Sequence, residues 1–298
     1  MAVLYLLNIA YQAGNRKYYS HEMSRLDALV NKDFHADILF IGSSRTHVHN
    51  NPKIVDSITH LSSYNFGVEG GNLIEMNLWL QVYLQNHAKP AMVVLDLPAF
   101  AFDTDRRKFF KDIIYFPYMN NSLIYSTLLK YKNIRLYKYL PFLELMEVDD
   151  YGKSNAVKGL MGKEDPFTNV YNYKGYIENG TDSIRFGIRA PHDTNVYKMS
   201  SLGKELLQTI IDSCRNKNIK LVLTYSPEYY DTDYSGMTAF FEYINSVAKK
   251  NQLAFWDYRN SPISQNNRFF LKPAHLNKFG AAAFSTELAH DILREMQK

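Results

Sequence analysis

The chain has 298 residues, 46% of them hydrophobic and 21% charged, and 34 Lys and Arg against 30 Asp and Glu leave a net charge of +4. That composition excludes a disordered chain, a collagen-like one and a polytopic membrane protein. Without a concentrated basic stripe there is no electrostatic footprint for nucleic acid, and no such partner is expected.

The apolar run Met1-Ala-Val-Leu-Tyr-Leu-Leu-Asn-Ile-Ala10 is followed by Arg16 and Lys17. It is too short to cross a bilayer and lacks a basic n-region or a cleavage signal. Residues 1–15 read equally as the remnant of a membrane anchor and as a packed first helix. Residues 36–42, Ala-Asp-Ile-Leu-Phe-Ile-Gly, have the profile of a strand buried on both faces. Ser63-Tyr-Asn-Phe-Gly67 is a second strand, and Leu73, Met76, Leu80 and Leu84 mark one face of the helix after it. Met92-Val-Val-Leu-Asp-Leu97 is a third strand, stopped by Pro98.

The alternation resumes near residue 200. Leu202, Leu206, Ile210 and Cys214 define a helix face before the strand Lys220-Leu-Val-Leu-Thr-Tyr-Ser226. Cys214, the single cysteine, cannot form an intrachain disulfide and is expected to be a buried small hydrophobe. A helix over 236–250, the short strand Ala254-Phe-Trp-Asp-Tyr258 and a closing helix over 277–296 complete the pattern. Strands separated by helices need crossovers, and crossovers give a parallel sheet covered on both faces. The expected fold is one α/β domain over 1–298 with a five-stranded parallel sheet.

Residues 98–198 break this rhythm. The segment is dense in Tyr, Phe, Lys and Asn, with helical stretches expected near 105–112 and 121–147. It leaves at the carboxyl end of the third strand, where open α/β sheets bind ligands, and reads as an insertion serving as a cap or as an interaction surface. The 23 tyrosines could line a glycan groove, although aromatics mostly fill cores.

Three short stretches could carry chemistry. In Ile41-Gly-Ser-Ser-Arg-Thr46, Ser44 sits just past a buried strand, where a serine is either an exposed nucleophile near backbone amides or an ordinary helix cap. In Lys272-Pro-Ala-His-Leu-Asn-Lys-Phe-Gly280, His275 lies just before the last helix and reaches the same strand ends. Between them, Asn65-Phe-Gly-Val-Glu-Gly-Gly-Asn72 lets backbone amides approach a ligand or simply makes a strand-to-helix turn.

In order and placement these stretches resemble the blocks of the SGNH or GDSL-type hydrolases, outside 98–198. The resemblance implies a three-layer sandwich with a flavodoxin-like strand order. It also implies Ser44 as nucleophile, His275 as base, and the amides of Ser44 and Gly70 as oxyanion donors. Two departures stand out. Lys272 occupies the position of the triad Asp, three residues before His275, and a cation cannot orient an imidazole; losing an orienting acid costs up to about 10⁴ in the template triad. The third block, Leu95-Asp-Leu-Pro-Ala-Phe100, lacks the Asn that the family uses as an oxyanion donor. In this respect the chain resembles divergent members that work with bacterial cell-surface polysaccharide acylation, often membrane-anchored in the cell envelope. Asp257 reads by placement either as a replacement orienting acid or, more readily, as a structural residue of its loop, and Asp96 and Asp103 could supply polar groups, Asp96 equally as a hydrogen-bonded strand-end residue.

Arg45, Asn72, Glu228 and Tyr229 are further candidates for substrate contact, Arg45 for an anionic group. No Cys/His cluster, Walker loop or dinucleotide fingerprint occurs, so neither metal nor nucleotide cofactor is expected. The leading expectation is a serine esterase or O-acyltransferase acting on small acyl esters, of glycans by family likeness. The alternative is a catalytically impaired relative that serves as a binding or assembly component.

Overall fold

The computed structural model describes residues 2–31, 34–105, 108–109, 111–137, 140–143, 145, 150–164, 172–184, 198–229 and 235–298. Its strands are β1 (Ile38–Gly42), β2 (Ser63–Gly67), β3 (Met92–Asp96), β4 (Asn172–Tyr173), β5 (Tyr176–Ile177), β6 (Lys220–Tyr225), β7 (Ala254–Asp257), β8 (Phe270–Lys272) and β9 (His275–Leu276). Five of them form one parallel sheet in the order β2-β1-β3-β6-β7, as the alternation of strands and helices predicts.

Period-two alternation explains how the sheet is buried twice over. Ile38, Phe40, Met92, Val94 and Val222 join one core cluster with Val55, Phe284, Leu288 and Ile292 of the helices Pro52–Thr59 and Lys278–Met296. The residues between them, Leu39, Ile41, Val93, Leu95, Leu221 and Leu223, are equally buried on the opposite face. Burying side chains of this size stabilises by roughly 1.5–3 kcal/mol each before the entropy of ordering is set against it.

The helices start where polar caps allow. Asn51 accepts from Lys53 N with Pro52 in the first turn, Ser200 accepts from Gly203 N, and Asn277 accepts from Phe279 N and Gly280 N. Helix Ser201–Asn216 buries Cys214, and burial pushes its thiol up to about 12. The chain leaves β1, returns to pair β2 on one side, and crosses to β3 on the other. That reversal places a topological switch point at the carboxyl ends of β1 and β3.

The chain divides into two compact units, one of residues 35–80, 87–110 and 172–298 containing the sheet, the other of residues 1–34, 81–86 and 111–171. The expected insertion is therefore shared: 111–171 groups with the first helices, while its two ends group with the sheet. Among the described residues the second unit includes the helices Ala2–Tyr18, Ser20–Val30, Ser122–Tyr131 and Asp150–Leu160. Asp27 accepts from Arg16 Nη1 at 3.0 Å and from Tyr118 Oη at 2.7 Å.

Of the helix expected near 105–112, residues 106, 107 and 110 lie outside the described residues and none of the others is α-helical, while Asp112–Tyr118 forms a 3₁₀ segment containing Pro117. Proline supplies no amide and clashes with the preceding turn, which disfavours an α-helix there. The helix expected over 121–147 is Ser122–Tyr131, and 138–139, 144 and 146–149 lie outside the described residues. Val3, Leu6, Leu7 and Ile9 are exposed on the first helix, although no described helix is long and apolar enough to cross a membrane.

Candidate active site

Ser44 is the one residue of 38–52 that is not buried. The reason is local. β1 ends at Gly42, Ser43 takes the N-cap position with its side chain accepting from Arg45 N at 3.3 Å, and the short helix Ser44–His49 begins at once. A Cβ on Gly42 would lie 1.9 Å from Thr46 Oγ1 and 3.0 Å from Asp96 Cβ, so only glycine permits the helix to turn this tightly over the strand end. Asn65, fully buried on β2, supports the turn. Its Nδ2 donates to the carbonyls of Thr46 and Asn50 at 2.7 Å each, and its Oδ1 accepts from Gly67 N at 2.9 Å. The result is a hydroxyl presented to solvent on a rigid base, with its own amide at the first helical position, where no intrahelical partner exists.

His275 faces that hydroxyl. It begins β9 of a hairpin whose two-residue connection is Pro273-Ala274, with Lys272 directly opposite. Ser44 Oγ and His275 Nε2 are 3.0 Å apart, across 231 positions of sequence. A neutral ring with its proton on Nδ1 leaves Nε2 free to accept from Ser44. Burial, and then the charges of Arg45 and Lys272, lower the pKa of His275 to about 4, which keeps the ring neutral at pH 7.

The hairpin is anchored on both sides of the histidine. Leu276 N donates to His49 Nε2 at 3.0 Å, Asn179 Nδ2 donates to the Leu276 carbonyl at 2.7 Å, and Tyr229 N donates to the Pro273 carbonyl at 2.9 Å. The His49 ring meets that of His275 edge-on, with centroids 6.4 Å apart. Among the described residues no carboxylate hydrogen-bonds the His275 ring. Asp257 holds Arg259 instead, accepting from its Nε at 2.9 Å and from its amide at 3.1 Å.

Arg45 and Glu228 turn toward each other rather than toward a substrate. Arg45, 2% exposed, donates from Nη1 to Glu228 Oε1 at 2.5 Å and from Nη2 to the Ser226 carbonyl at 2.9 Å, with Asp96 Oδ1 at 3.4 Å. Its guanidinium lies 4.3 Å from the centre of the Tyr225 ring. Burial opposes the charge, yet Asp96 and Glu228 outweigh it and raise the pKa. Asp96 Oδ1 also accepts from Ser226 N at 2.8 Å and Oγ at 2.9 Å. A charge so enclosed is consumed in tying the ends of β3 and β6 together beneath Ser44.

The other candidates have structural partners too. Asn72 caps the helix Leu73–Asn86, its Oδ1 accepting from Ile74 N at 2.9 Å. Tyr229 is buried against Phe270, ring centroids 5.8 Å apart. Gly70 adopts φ +58° in the turn after β2, which Val68 N ties to the Gly42 carbonyl at 2.9 Å. Asp103 follows the 3₁₀ turn Ala99–Phe102 after β3. His49 escaped the sequence reading because one histidine among nine carries no signal of its own. A hint lay in its spacing, since it closes the short helix that Ser44 opens. Among the described residues no group of His, Cys, Asp and Glu is arranged to hold a metal ion.

No protein-family model matches the sequence, and no curated protein matches it. Solved structures resemble the fold at low identity. A protein of the G-D-S-L family from Desulfitobacterium hafniense DCB-2, provisionally described as lipolytic, is 8% identical with a TM-score of 0.47, covering 86% of this chain and 99% of its own. A protein of Bacteroides fragilis NCTC 9343, provisionally described as an acylhydrolase, is 11% identical with a TM-score of 0.44, covering 92% and 94%. An acetyl xylan esterase is 12% identical with a TM-score of 0.43, covering 87% and 98%. At such scores these likenesses say nothing about activity, which rests on the geometry of Ser44 and His275.

Proposed function

We propose that the protein is a serine-dependent acyl-ester enzyme, an esterase or O-acyltransferase, with Ser44 as nucleophile and His275 as general base. The single observation that carries this reading is the 3.0 Å contact between Ser44 Oγ and His275 Nε2 at the β1–β3 switch point. Ser44 Oγ attacks the acyl carbonyl as its proton passes to Nε2. The bond from the carbonyl carbon to the leaving alcohol then breaks, and Nε2 gives that proton to the leaving oxygen. Water or a sugar hydroxyl attacks the acyl-serine in turn, yields its proton to Nε2, and Ser44 recovers it as the product departs. The amides of Ser44 and Gly70 are assigned to the oxyanion, and small acyl esters of glycans are the substrates this reading favours.

A second reading has its own support, because among the described residues no carboxylate hydrogen-bonds the His275 ring and Lys272 is its partner across the hairpin. On it the protein keeps the sheet and binds rather than turns over its ligand. Covalent labelling with a fluorophosphonate separates the two. Labelling that disappears in Ser44→Ala and slows in His275→Ala supports the enzyme. Folded protein that neither labels nor hydrolyses aryl acetates supports the binding component.

A further inference from the structure

Lys272 differs from the other cation near the reacting pair. Arg45 is buried, and its Nη1 and Nη2 are engaged by Glu228, Asp96 and Ser226. Lys272 is exposed, and among the described residues no carboxylate pairs with it. Its place is set by backbone geometry. Lys272 and His275 are opposite one another in the β8–β9 ladder, separated by Pro273 and Ala274 alone. Residues directly opposite in an antiparallel pair project from the same face, with Cβ atoms about 5 Å apart. The ladder is irregular between Phe270 and Lys272, yet Lys272 still pairs with His275, is exposed, and is near enough for its charge to act on the imidazole. The hairpin that carries both is fixed by Tyr229 N on the Pro273 carbonyl and Leu276 N on His49.

The charges that act on His275 are those of Arg45 and Lys272, both positive. Among the described residues Lys272 is a cation near this site with no carboxylate for a substrate to displace. We propose that Lys272 is a specificity residue that pairs with an anionic group on the ester, so that the preferred substrates carry a carboxylate or phosphate close to the acyl ester bond. This rests on the acyl-ester reading of Ser44 and His275. It gives the cation that replaces the orienting acid a use in recognition, in place of the use in orientation it cannot have.

The test compares three aryl acetates: 4-acetoxybenzoate, 4-acetoxyphenyl phosphate and the neutral methyl 4-acetoxybenzoate. The readout is the ratio of kcat/KM for each anionic ester to that for the neutral one, after subtraction of the Ser44→Ala background. Using a ratio removes any change in the basicity of His275, which all three esters share. In Lys272→Ala the ratio is expected to fall about fivefold, as for loss of one partly exposed ion pair. It falls further in Lys272→Glu, stays near the wild-type value in Lys272→Arg, and shrinks as salt is raised because an exposed charge is screened. The larger of the two anionic ratios identifies carboxylate or phosphate as the favoured group. Ser44-dependent turnover with the same ratio in all four proteins overturns the proposal alone. Absence of Ser44-dependent turnover for every ester overturns the acyl-ester reading, and the proposal with it.

Discussion

His49 Nε2 accepts the amide proton of Leu276 at 3.0 Å, and Leu276 immediately follows His275. His49 closes the short helix that Ser44 opens. One hydrogen bond thus ties the carrier of the hydroxyl to the carrier of the imidazole, and it exists only while His49 is neutral. Burial, with the charges of Arg45 and His275, holds the His49 pKa well below its ordinary value.

Replacing His49 by Phe removes the acceptor and leaves the Leu276 amide buried without a partner. Such a group costs about 1–3 kcal/mol. His49→Phe is expected to lose stability in that range in urea denaturation and to label with a fluorophosphonate at least several-fold more slowly. His49→Gln, which can place an amide oxygen near the lost nitrogen, should recover part of both. Equal labelling by wild type and His49→Phe would show that the hairpin holds its position unaided.

Hydrolysis through Ser44 needs an unprotonated His275 Nε2. With burial, Arg45 and Lys272 lowering its pKa to about 4, the rate should rise with pH around that value and then stay flat through neutrality. Removing the cation in Lys272→Ala should move the midpoint upward. A wild-type midpoint at the ordinary histidine value of 6.5 would show that the ring is better solvated than its surroundings imply.

Acid should destabilise the fold early. His21, lowered to about 2 chiefly by burial, His49 and His275 are all held neutral in the folded protein. Unfolded histidines bind a proton below about pH 6.5, so the unfolded state takes up more protons there and stability falls as pH decreases. The loss from His275 is complete near pH 4, and that from His21 continues toward pH 2. Each contributes at most roughly 1.4 kcal/mol per pH unit within its window. Urea midpoints that do not change between pH 7.5 and pH 5 would contradict this.

Arg45→Met should be among the most destabilising single changes. It leaves Asp96 and Glu228 as buried carboxylates without their cation, and breaking a buried pair from one side costs about 3–5 kcal/mol. A thermal midpoint close to that of wild type would mean the two acids are protonated or reached by water.

Gly67→Ala probes how closely β2 approaches the short helix. An added Cβ would lie 2.3 Å from His47 N and 2.8 Å from the Ser43 carbonyl oxygen, both backbone atoms of the turn that presents Ser44. The helix must shift, and both stability and fluorophosphonate labelling should drop. Gly180→Ala, where nothing lies within 4 Å, is the control and should match wild type.

The sheet was legible because most of its strands, β2 with its Ser63 and Asn65 excepted, are short apolar runs bounded by polar or glycine residues, and runs such as 36–42 and 92–97 fit burial on two faces. The helices Ser201–Asn216 and Lys278–Met296 were equally plain from their periodic apolar faces. The region from 98 to 198 was not. Its tyrosines and lysines have no single period, and of the long helical stretch expected over 121–147 the α-helix Ser122–Tyr131 covers only the first part.

Taken alone, the sequence determined the five strands, the crossovers between them, and the two stretches from which a nucleophile and a base could come, because backbone pattern and turn chemistry are local properties. What tertiary structure decided was partnership. Arg45 and Glu228, 183 positions apart, look like two free charges in the chain and are one buried ion pair in the fold. His49 looks like one histidine of many and is the acceptor that seats the amide after His275. Lys272 looks like a lost acid and is a cation opposite His275 in the hairpin, with no carboxylate paired to it among the described residues. Electrostatic character depends on distance and exclusion of water, and both are set by segments far apart in sequence.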